Sequence, residues 1–161
     1  MKKLLTIIFF FSVSTMADSF TYDIQEAGYR FDQYDLKGKA TMEIFKNAFR
    51  GFPWKEQVGN NKGGSEPTIS VKNSKTKVDL WVSVIGSPEE FAYLVGIVQP
   101  KKVKTMFGFG KEKEVRWVSA YVLEQAKWVE EAFQLYFEGK TETLNSQFSG
   151  LPVYLEKEAS N

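Results

Sequence analysis

The chain has 161 residues, with 21 lysines and arginines against 20 aspartates and glutamates, and it contains neither histidine nor cysteine. This composition excludes a Ser-His-Asp triad, a Cys-His nucleophile and any metal site built on thiolate or imidazole. The near-neutral balance sets up no global field for nucleic acid. What remains is carboxylate, lysine or tyrosine chemistry, oxygen-ligand binding of Ca²⁺-like ions, or no catalysis at all, and nothing in the composition implies a cofactor.

Residues 1–17 read as a cleavable secretory signal. Lys2 and Lys3 form a positive start, an apolar run follows from Leu4 to Val13, and Thr15, Met16 and Ala17 offer small residues where a signal peptidase reads. The run is far shorter than the roughly 20 residues that span a bilayer. The expected product begins at Asp18 and works in a periplasm or outside the cell. It has about 144 residues, the size of one domain. Without the leader, 19 basic side chains face 20 acidic ones. Since no disulfide is possible, stability has to come from an apolar core rich in aromatics.

In chain order, Phe20, Tyr22 and Ile24 alternate and predict a short strand within an acidic, tyrosine-rich stretch, 18–38. Ile44, Phe45, Ala48, Phe49 and Phe52 share one helical face, which Gly51 and Pro53 bring to an end. Residues 54–58 allow a further turn, and 59–67 read as a flexible loop. The period then changes to two. Strands are expected at 68–72, 77–85, 91–98 and 115–122, joined by short turns as an antiparallel meander. Residues 125–138 predict a helix with Ala126, Val129, Ala132, Phe133, Tyr136 and Phe137 inward, stopped by Gly139. Thr141 is expected to cap a second helix through Ser149, and the tail beyond Pro152 to fray. The order implies an α+β domain over 18–161: an antiparallel meander of four to five strands, with an N-terminal helix and two C-terminal helices on one face.

The most distinctive segment is the connection 99–113, which carries five lysines and one glutamate around an apolar centre. Within it, Met106, Phe107 and Phe109 can fill a partner's pocket, Gly108 and Gly110 let them project, and Lys104, Lys111 and Lys113 steer anionic surfaces. The competing reading is an ordinary long hairpin whose aromatics fold back onto the core and whose lysines guard an edge. A second candidate is the acidic stretch with Asp23, Glu26, Asp32 and Asp35, as a patch for a cationic partner or a Ca²⁺ site. It lacks the spacing and central glycine of a calcium loop, and a solvated acidic face explains it. Glu89 with Glu90 and Glu130 with Glu131 are sequence neighbours, unlike the separated pair of a glycosidase. Trp54, Trp81, Trp117 and Trp128 sit inside regular elements, which favours packing over a sugar platform.

The functional expectation is an exported, non-enzymatic protein-binding module, such as an inhibitor, an immunity-like protein or an envelope accessory factor. Its partner would be another envelope or extracellular protein, met through the basic-aromatic segment 104–113. The alternative is a binder of a small ligand or lipid headgroup, with an aromatic-lined pocket between sheet and helices. A carboxylate-based hydrolase ranks third.

Overall fold

The computed structural model describes residues 19–61, 63–104 and 111–159. The chain builds β1 (Phe20–Gln25), β2 (Asp35–Lys39), α1 (Met42–Gly51), α2 (Trp54–Asn60), β3 (Thr68–Asn73), β4 (Asp79–Gly86), β5 (Phe91–Lys104), β6 (Glu112–Leu123), α3 (Ala126–Phe137), α4 (Thr141–Ser149) and β7 (Val153–Glu158). The strands form one sheet in the order β2-β1-β3-β4-β5-β6-β7, and every neighbouring pair is antiparallel. The α+β class expected from the sequence holds, with seven strands rather than four or five and four helices rather than three. No helix among the described residues is long and apolar enough to cross a membrane.

The helices start and stop for local reasons. The Thr41 hydroxyl accepts from the Ile44 N–H (3.2 Å) and caps α1. At the end of α3, Gly139 takes φ 72°, and the Lys140 N–H turns back to the Leu135 carbonyl (2.9 Å). This is the glycine-dependent stop the sequence predicts. The expected cap at Thr141 is not made. Thr141 is the first residue inside α4, and Lys140 takes the cap position with no side-chain cap bond.

One set of alternating strand residues faces the helices. Ile69, Val71, Leu80, Val82, Val84, Val95 and Ile97 bury against Phe45, Phe49, Trp54, Phe133, Tyr136, Leu144 and Phe148. Phe20 meets Tyr136 edge-on at 5.3 Å between ring centroids, the arrangement ring quadrupoles favour. Glu130 is more than a surface charge. Arg50 of α1 forks onto its two carboxylate oxygens (2.6 and 2.8 Å) and Lys46 approaches to 3.3 Å. These hydrogen bonds hold the Glu130 carboxyl below its ordinary range, and they pin α1 to α3 at the solvent rim.

The other face of the sheet carries Asp23, Lys72, Asp79, Trp81, Gly96, Arg116 and Ala120. There the Trp81 indole lies across Gly96, in the space where any Cβ at that position would sit. β5 pairs with β4 from Phe91 as far as Val98, and then with β6 alone out to Lys104. Pro100 stands two residues past the last β4 partner. Lacking an N–H, proline fits where a strand has become an edge.

Candidate functional site

The 99–113 connection is mostly strand. Pro100↔Arg116, Lys101↔Val115, Lys102↔Glu114, Val103↔Lys113 and Lys104↔Glu112 continue the β5–β6 ladder as a two-stranded arm. Of the residues expected to meet a partner, Met106, Phe107 and Phe109 lie outside the described residues. Lys104 ends β5, Lys113 lies in β6 and Lys111 immediately precedes it, all three exposed. The lysines do not form one ring around a tip. Side chains alternate along a strand, so Lys102 and Lys104 share one face of the arm while Lys101 and Lys113 take the other.

The arm is fastened at its root to β7. Lys101 Nζ reaches Glu156 Oε1 at 2.9 Å and stands 4.0 Å above the Trp117 ring, while Trp117 Nε1 donates to the same Glu156 oxygen (2.8 Å). Further out, Lys113 Nζ approaches Glu158 at 3.5 Å. The hydrogen bonds from Lys101 and Trp117 draw the Glu156 carboxyl below its ordinary value.

Beside the arm's root, on the side of the β3–β4 turn, lies a groove of about 530 Å³. One ion pair lines it, and so does the lysine of a second. Arg116 Nη2 bonds Asp79 Oδ2 at 2.7 Å, and Lys72 Nζ lies 2.7 Å from Asp23 Oδ2. The Asp23 oxygen is buried and receives no hydrogen bond of good geometry among the described residues, so the attraction of the Lys72 ammonium is what holds it. Lys72 sits directly opposite Asp79 in the β3–β4 ladder, so negative and positive charges alternate across the sheet from Asp23 to Arg116. Burial pushes the Asp79 carboxyl above its ordinary value. Arg116 and Lys72 pull it down, and the like charge of Asp23 adds to the rise.

The wall of the groove on the turn side is built stiffly. Asn73 Oδ1 accepts from the Lys75 and Thr76 N–H groups (2.9 and 3.3 Å), and the Lys77 N–H donates to the Asn73 carbonyl (2.9 Å). Lys77, expected within a strand, instead occupies the left-handed region at φ 57°, a conformation ordinarily left to glycine.

The acidic N-terminal stretch does not converge on a site. Asp23 pairs with Lys72, Asp32 with Arg30 (3.0 Å) and Asp35 with Lys37 (3.3 Å). Among the described residues no three acidic side chains gather as they would around a metal ion. What the sequence did not flag is the loop between β1 and β2. Gln25 Nε2 lies within 2.9 to 3.3 Å of the carbonyls of Arg30, Phe31 and Gln33, and the Phe31 side chain stands 88% exposed. The four tryptophans stay apart: Trp54 in the core, Trp81 on the sheet face turned away from α1 to α4, Trp117 at the arm's root and Trp128 on α3.

No protein-family model matches the chain, and neither does any curated protein or solved structure.

The groove leaves no continuous mark in the sequence, because its charges are far apart in the chain and come together only through strand pairing, Lys72 opposite Asp79 and the others diagonal to them. The local signs were slight: Pro100 inside a basic strand, and a lysine at the glycine position of a tight turn.

Proposed function

We propose that the chain is an exported, non-enzymatic protein-binding module, an inhibitor, immunity-like or envelope accessory protein, and that it meets its partner through the 104–113 end of the β5–β6 arm. The observation that carries this reading is the arm itself. A two-stranded ribbon leaves the sheet, is anchored at its root by Glu156, and bears lysines on both faces. Exposed cations on a projecting element raise encounter rates with an acidic partner. The alternative pocket between sheet and helices finds less support, since that interface is filled by the side chains of α1, α3 and α4.

A photo-crosslinking side chain in place of Lys104 or Lys113, in protein expressed in its own host, tests the reading. Both positions are expected to trap one and the same envelope or extracellular protein, with Gln134 on α3 as a silent control. Equal trapping at Gln134, or none at either arm position, counts against it. Intact mass of the same material reads the leader: a chain beginning at Asp18 is expected, and a cytoplasmic species retaining residues 1–17 overturns export.

A further inference from the structure

We propose that the groove between the β3–β4 turn and the root of the arm is a binding site for a short peptide with free termini, a zwitterion, independent of whatever the arm contacts. The argument begins with charge. Two of the groove's cations are already answered, Lys72 by Asp23 and Arg116 by Asp79. Two further lining residues are not: Lys77 on the turn and Glu114 on β6 make no ion pair among the described residues. The groove therefore offers one cation without an ion pair on one wall and, on the other, a carboxylate that faces Lys102 across the ladder without pairing to it, between two ion pairs whose charges cancel. A polyanion meets too little positive charge there and a plain cation too little negative charge. A molecule with a carboxylate at one end and an ammonium at the other satisfies both walls.

Size points the same way. About 530 Å³ is far more than a single ion needs and lies within the usual range of small-molecule sites. Backbone conformation is the second observation. A lysine in the left-handed region costs free energy that glycine would not, and such strain collects where a side chain must be held in a particular place. Here the Asn73 bonds hold the turn in that shape before any ligand arrives, which lowers the ordering cost of binding.

The test uses trialanine and its three blocked forms, N-acetyl-trialanine, trialanine amide and N-acetyl-trialanine amide. Each is titrated into ¹⁵N-labelled protein while the backbone amides of Ser74, Lys77 and Arg116 are followed. Trialanine is expected to shift these amides saturably. Each single block should weaken binding by about fivefold, the upper end of what one exposed ion pair is worth. Lys77→Gly should abolish the preference for trialanine over its amide, and Glu114→Gln the preference over the N-acetyl form. Both positions are exposed and Lys77→Gly relieves the strained backbone, so the thermal midpoint should hold or rise and a lost preference cannot be ascribed to unfolding. No saturable shift, equal binding of the doubly blocked peptide, preferences that survive in the variants, or equal shifts from acetate or ammonium ions alone would each overturn the proposal.

Discussion

The ring of Phe133 lies flat against that of Phe45, with centroids 3.7 Å apart and planes within 10° of parallel. The two residues come from α3 and α1, which are distant in sequence, and both are fully buried. The stack is the point at which the helical layer closes over the sheet. Phe133→Ala removes one ring and opens a cavity between two helices and the sheet. The expected loss is about 3–5 kcal/mol, read by urea unfolding. A loss below about 1 kcal/mol would mean that the helices collapse into the space.

Tyr136 gives a pH-dependent prediction. Its hydroxyl donates to the Val78 carbonyl (2.6 Å) and stands 3.2 Å from the Val71 carbonyl. Burial drives its pKa well above the ordinary value of 10.0, and the Asp79 carboxylate adds to the rise. The folded state thus keeps a proton that the unfolded chain releases above about pH 10. The contribution is fully present below that pH and declines above it by about 1.4 kcal/mol per pH unit. Tyr136→Phe should cost about 0.5–1.5 kcal/mol at neutral pH and show a shallower alkaline decline. Denaturation midpoints at a series of pH values between 9 and 11 (roughly the window set by tyrosine ionisation) separate the two slopes. Identical slopes would remove Tyr136 as the cause.

Gly96 and Trp81 form a testable couple on the face of the sheet turned away from α1 to α4. Because the indole occupies the space of a Cβ at position 96, Gly96→Ala must push Trp81 off the sheet, at about 1–3 kcal/mol. In a Trp81→Ala background the same change should be neutral or stabilising, since alanine is stiffer than glycine in a strand. Unfolding of the two singles and the double completes the cycle. Additive effects would show that the indole moves aside without cost.

The double change Phe107→Ser, Phe109→Ser addresses the end of the arm. If these rings serve a partner, the unfolding midpoint stays nearly unchanged while partner capture weakens by about 2 kcal/mol, a hot-spot magnitude. If they fold back onto the core, the double variant loses several kcal/mol of stability. Thermal unfolding distinguishes the outcomes before any partner is in hand.

What was legible in the sequence is what burial writes into it. β3 and β4 alternate because their buried apolar residues share one face, and α1 and α3 repeat at helical spacing for the same reason, whereas β6 buries residues on both faces. β2 and β7 left no such mark. Leu36 is 68% exposed, and nearly all of β7 is exposed as well. Both strands are held by backbone pairing to a neighbour, at the two ends of the sheet. Hydrophobic pattern does not record backbone pairing, and so the sequence reads as a fraying tail beyond Pro152 where the structure has β7. The sequence pattern ends β5 at Val98 for a related reason: past that point the strand is polar, contains a proline and is largely exposed on the arm. The groove was harder still, since Asp79 and Arg116 meet only once the registers of β4, β5 and β6 are known.

The length of the arm sets a limit on what its end can do alone. Five residues beyond Gln99, at the usual rise per residue, carry Lys104 roughly 17 Å past the sheet. A surface that engages only the outer end of the arm at that distance is kept away from the body of the protein by the arm's own reach. The contact is then two strands wide, far below the about 1,200–2,000 Å² of a standard protein interface. Residence on such a footprint is short unless a second patch engages too. The Phe31 loop lies beyond the β1–β2 side of the sheet and the arm springs from β5 and β6, so a partner that used both would have to wrap around the molecule rather than dock on one side of it.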